Sequence, residues 1–111
     1  MNFNEYQKLA MRTCNIPYER KKDMLRHGIF CLASEAGEFA GIFQKEYQGH
    51  PVCLEHAKRE LGDVMWAVAE ICTALGFDMA DVAETNINKL KARFPDGFSA
   101  ERSLNRAEGD V

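Results

Sequence analysis

Residues 23–47, DMLRHGIFCLASEAGEFAGIFQKEY, decide the fold. Leu25, Ile29, Leu32, Ala36, Phe39 and Phe43 step by four, three, four, three and four. That spacing puts one apolar stripe along a helix that packs in a bundle. Residues 48–51, Gln-Gly-His-Pro, end it, with glycine as the stop signal and proline just beyond. From about Cys53 to Leu75 the stripe recurs as Ala57, Leu61, Val64, Val68, Ile71 and Leu75, and Gly76 stops it. Upstream, about Asn4 to Cys14, Tyr6, Ala10 and Cys14 recur every four residues until Asn15 and Pro17 intervene. A fourth helix is capped by Asp78 and closed by Pro95. No stretch alternates apolar and polar residues as a half-buried strand does. The expected fold is all-α, a four-helix bundle. It occupies residues 1–98, and residues 99–111 form a polar, irregular tail that Leu104 anchors.

The 111 residues suffice for one domain, and a core this small gives a reason to associate with another copy. A net charge of −3 offers no general attraction for nucleic acid or an anionic membrane, so phosphates would need a local site with metal help. No apolar run approaches the ~20 residues that span a bilayer, and the first residues lack a basic-then-apolar leader. Cytoplasm is the expected compartment. Cys14, Cys31, Cys53 and Cys72 form no C-x-x-C pair and read as reduced, packed thiols. His27, His50 and His56 show no ligand spacing, and none follows a glutamate by three residues as a di-iron bundle requires.

The chemistry lies in acids placed where apolar residues belong. Cys31, Glu35, Glu38 and Ile42 form a second stripe, so both glutamates point to one side of the helix. Glu60 and Asp63 hold the same offset in the third helix, flanked by His56 and Ala67. Both pairs read acid-x-Gly-acid, and each mid-helix glycine costs about 1 kcal/mol relative to alanine. The repeated glycine suggests that something approaches the backbone closely. Four converging carboxylates raise one another's pKa unless a cation compensates. Oxygen-only ligands select Mg²⁺, with Mn²⁺ as a substitute. An acid pair is also common on solvated faces, so spacing alone leaves that reading open. On the fourth helix Asn86, Lys89 and Arg93 share a face suited to phosphates, and Lys45 is a further phosphate candidate. Tyr6 and Trp66 are candidates to stack on a base, although aromatics at helical spacing more often fill a core.

Ser34-Glu35-Ala36-Gly37-Glu38, Glu60-Leu61-Gly62-Asp63-Val64-Met65-Trp66, Asn86-Ile87-Asn88-Lys89-Leu90 and the closing Arg93-Phe94-Pro95-Asp96-Gly97-Phe98 resemble the MazG-like nucleotide pyrophosphohydrolases of the all-α NTP pyrophosphatase superfamily. The resemblance runs from about Tyr6 to Arg106. It implies Mg²⁺ held by Glu35, Glu38, Glu60 and Asp63, and cleavage of a nucleoside triphosphate between the α and β phosphates. Glu35 or Glu38 would then orient or deprotonate the attacking water, and Asn86 and Lys89 would face the phosphates. It also implies a homodimer or homotetramer. A phosphoribosyl-ATP pyrophosphohydrolase or a dedicated dUTP or dCTP hydrolase shares this metal site. A helical scaffold without catalysis is the alternative of another class.

Overall fold

A computed structural model describes residues 1–110. The four expected helices are present: α1 (Phe3–Met11), α2 (Lys21–Tyr47), α3 (Leu54–Leu75) and α4 (Met79–Arg93). A 3₁₀ turn, Tyr18–Arg20, precedes α2, and a short α5 (Ala100–Leu104) follows α4. Apart from one bridge between Pro95 and Gly97, the described residues contain no β-structure. The chain is all-α. None of its described helices is long and apolar enough to cross a membrane.

Helix ends follow local chemistry. α1 starts earlier than periodicity suggested because the Asn2 side chain accepts from the Glu5 amide at 2.8 Å and donates to the Glu5 carboxylate at 2.8 Å. This reciprocal cap satisfies an orphan donor of the first turn. α1 also ends earlier, at Met11, where the Thr13 hydroxyl donates to the Ala10 carbonyl at 2.7 Å. Gly76 terminates α3 as expected. Its φ of +75° is left-handed, and its amide and that of Phe77 close on the Cys72 and Thr73 carbonyls.

The chain divides into two compact units, the first Met1–Met79 and the second starting at Ala80. In the first, α2 and α3 form the most extensive helix pair and α1 packs on α3. The pair is antiparallel, since His27 meets Glu70 near one end and Glu35 meets Glu60 and Asp63 further along. Small side chains allow the close approach. Ala10, Ala69, Cys72 and Met79 form the buried cluster, with Tyr6, Met11, Trp66 and Val68 packed against it. At the α2–α3 crossing a Cβ on Gly28 would lie 2.8 Å from Ile71 Cγ1. Gln7 staples the far end, donating to the Phe77 carbonyl at 2.9 Å and accepting from the Met79 amide at 2.8 Å.

The buried stripe of α2 differs from the expected one. Met24 and Gly28 are buried, while Ile29 is 49% exposed and the neighbouring Phe30 65%. Leu61 and Leu75 of the expected α3 stripe are exposed too, and Ala67, Ala69, Cys72 and Ala74 are buried. The helices meet along their small residues and leave much of the large apolar stripe open in the single chain.

In the second unit, the tail read as irregular forms α5, capped by the Ser99 side chain. Leu104 does not anchor it, being 84% exposed. Asp110 does so instead, accepting from Arg93 Nε at 2.8 Å and Nη2 at 2.7 Å.

Candidate metal centre

Antiparallel packing of α2 on α3 sets Glu35 of the first acid pair against Glu60 and Asp63 of the second. Carboxylate oxygens of Glu35, Glu60 and Asp63 lie within 4.8 Å of one another. Glu35 and Glu60 are half-buried and Asp63 is exposed. Burial pushes the Glu35 carboxyl above its usual range, and the charges of Asp63, Glu60 and Glu38 push it further. Charge crowding at one partly desolvated point is what the paired motif led one to expect. His56, one turn before Glu60 on α3, meets its carboxylate at 3.1 Å through Nε2. Sequence reading had assigned His56 no role, although its four-residue offset from Glu60 was the available signal.

Glu38 stands apart from the triad. It is exposed and lines a cavity of about 500 Å³ with Ser34, Gly37, Lys45, His50 and His56. Lys45, a phosphate candidate, therefore shares this cavity with one acid of the motif. Neither Gly37 nor Gly62 meets a chain atom within 4 Å of a Cβ built on it, so close packing of helices does not explain the two glycines. Gly28 is the position where close packing does operate.

The aromatic candidates pack against the core. Trp66 donates through Nε1 to the Ala10 carbonyl at 3.1 Å and to Thr13 Oγ1 at 2.8 Å, tying the end of α1 to α3. Tyr6 is half-buried, and burial, with the charge of Asp63, raises its hydroxyl. That hydroxyl therefore feels Asp63.

Asn86, Lys89 and Arg93 belong to the second unit. Asn86 and Lys89 are exposed. Arg93 is half-buried with its fork engaged by Asp110, which raises the Arg93 guanidinium and lowers the Asp110 carboxyl. Lys89 and Arg93 line a cleft of about 390 Å³ together with Arg102 and Arg106.

A second group of donors was not legible from spacing. The Glu70 carboxylate is completely buried in α3 and meets His27 Nδ1 at 2.7 and 3.0 Å and the Cys14 thiol at 3.3 Å. Of the four cysteines read as packed thiols, only Cys72 is fully buried; Cys14 and Cys31 are half-buried and Cys53 is exposed.

A family model described as the MazG nucleotide pyrophosphohydrolase domain matches residues 26–98. That span holds both acid pairs, Lys45, Trp66, Asn86, Lys89 and Arg93. The Gene 37 protein of Mycobacterium phage L5 is 36% identical over 67 residues, which cover 56% of this chain and 59% of the phage protein. Less than two thirds of that relative's length is thus matched. No solved structure matches the chain.

Proposed function

The chain belongs to the MazG nucleotide pyrophosphohydrolase domain family, and on that premise we propose that it is a Mg²⁺-dependent hydrolase of nucleoside triphosphates. Cleavage falls between the α and β phosphates and yields monophosphate and pyrophosphate. The observation that carries this reading is the convergence of Glu35, Glu60 and Asp63, with the Glu35 carboxyl raised by the other acids. An oxygen-only donor set with excess negative charge fits a hard divalent cation. Glu35, Glu60 and Asp63 would hold it, with Glu38 completing the set from the cavity side. When bound, Mg²⁺ supplies charge neutralisation on the phosphates and lowers the pKa of water.

The remaining roles belong to the chain's own groups. Glu38, exposed at the cavity wall, would orient the attacking water or accept its proton, a part that Glu35 could share. His56 fixes the orientation of the Glu60 carboxylate. Open space over Gly37 and Gly62 admits a phosphate close to the backbone. Lys45 offsets phosphate charge from the cavity rim. Lys89 and Asn86 are the phosphate candidates of α4, where the Arg93 fork is already held by Asp110. Tyr6, whose hydroxyl feels the Asp63 charge, is the better base contact of the two rings. Trp66 has its N–H committed to α1.

The exposed apolar stripe of α2 and α3 supports assembly as a homodimer or homotetramer. A panel of ribo- and deoxyribonucleoside triphosphates and phosphoribosyl-ATP, each with Mg²⁺, tests the substrate. Turnover of several triphosphates supports the general activity. Turnover confined to dUTP, dCTP or phosphoribosyl-ATP assigns a dedicated enzyme, and turnover of none contradicts the proposal.

A further inference from the structure

Two turns along α3 from Asp63, a different chemistry collects. Glu70 is 0% exposed, yet among the described residues no Lys or Arg pairs with it. Its described neighbours are His27 of α2 and Cys14 of the segment after α1. Cys31, one helical turn from His27, places its sulfur 3.6 Å from His27 Nε2 and 3.8 Å from Nδ1. Ligand atoms of His27, Cys31 and Glu70 all fall within 4.8 Å of one another, and Cys14 Sγ lies 3.3 Å from the Glu70 carboxylate.

We propose that Cys14, His27, Cys31 and Glu70 form a closed, four-coordinate site for Zn²⁺, separate from the Mg²⁺ centre. Two sulfurs, an imidazole and one carboxylate suit a borderline-soft tetrahedral ion and do not suit Mg²⁺. Zinc bonds of about 2.0–2.3 Å separate tetrahedral ligand atoms by about 3.3–3.8 Å. Cys31 lies in that range from His27, and Cys14 from Glu70. Cys14 stands outside the group whose donors are all within 4.8 Å of one another and must turn inward to complete the tetrahedron, and the His27–Glu70 contact must open by a few tenths of an ångström. His27 is 49% exposed and provides the entry path. Burial raises both thiols and the Glu70 charge raises them further, so metal uptake releases their protons to solvent as the two Zn–S bonds form. The site joins the end of α1, α2 and α3, which assigns the ion a structural role. The four donors come from three elements at sequence offsets of 13, 4 and 39, which no short zinc motif contains.

Reduced wild-type protein, stripped with chelator and titrated with Co²⁺ alone, tests this. The expected result is a thiolate-to-cobalt charge-transfer band with tetrahedral d–d bands, saturating at one equivalent and abolished by one equivalent of Zn²⁺. Cys14→Ser/Cys31→Ser should weaken binding by on the order of 100-fold or more with helix content retained. Cys53→Ser and the triple variant Glu35→Gln/Glu60→Gln/Asp63→Asn should keep the full spectrum. Absence of the band in wild type overturns the proposal without reference to any variant. So does a band that survives Cys14→Ser/Cys31→Ser, or one lost with Cys53 or with the acid triad.

Discussion

Glycine shows how much a single residue can and cannot disclose. Gly28, Gly37, Gly41 and Gly62 all lie inside helices, yet only Gly28 sits where a Cβ would strike a neighbour, Ile71 Cγ1 at 2.8 Å. Overpacking there costs about 1–3 kcal/mol and outweighs the ~1 kcal/mol that alanine gains in helix propensity. Gly28→Ala should therefore destabilise the protein. Gly37→Ala and Gly62→Ala face open space and should stabilise it by up to about 1 kcal/mol, while lowering activity if a ligand occupies that space. Thermal melts and turnover on the same three variants check both statements. Glu35 gives a second residue-scale expectation. Its folded-state carboxyl lies above the ordinary value, so the folded chain binds this proton more tightly than the unfolded chain. The charged form therefore costs stability at neutral pH, and the cost is relieved as pH falls through the raised value. In metal-free buffer Glu35→Gln should melt higher than wild type at pH 7, with the advantage shrinking on acidification. Mg²⁺ should then stabilise wild type more than the variant. An advantage independent of pH would remove the charge crowding from the account.

Elements were legible where a periodic stripe met a cap, and less so where side chains from distant segments set the boundary. Asn2 drew α1 forward by its reciprocal bond with Glu5, and Gln7, some seventy residues away in sequence, holds the first amide of α4. The acid pairs were readable because both lie within single helices at fixed offsets. Glu70, His27 and Cys14 were not, because three elements contribute one or two residues each. The face of α2 that meets α3 was misplaced by one residue, since bulk marked Ile29 and Leu25 while the close crossing selected Met24 and Gly28. On α4 the fork of Arg93 is held by Asp110, which leaves Lys89 as the better candidate for phosphate. Lys89→Ala should lower kcat/KM by at least about tenfold, the worth of a charge-assisted contact, with an unchanged melting temperature. Near-wild-type efficiency would return Lys89 to a solvated surface role.

At the scale of the molecule, the single chain buries mainly alanines, with Met24, Cys72 and Met79, and leaves Ile29, Phe30, Leu61 and Met65 open. Sequence alone could mark Ile29 and Leu61 as members of apolar stripes but could not say whether their partner was the same chain or another copy. Sedimentation equilibrium should give a mass of two or four chains, and Phe30→Asp should lower it; a concentration-independent monomer would contradict assembly. Family membership follows from the match over most of the chain, whereas the reaction itself rests on the acid cluster. The decisive measurement is ³¹P NMR of a nucleoside triphosphate incubated with purified protein and Mg²⁺, alongside the Asp63→Asn variant. Monophosphate and pyrophosphate should form as the first products, only with divalent metal present, and at a rate reduced at least about tenfold in the variant. Nucleoside diphosphate with orthophosphate, or pyrophosphate release that Asp63→Asn leaves unchanged, would contradict it.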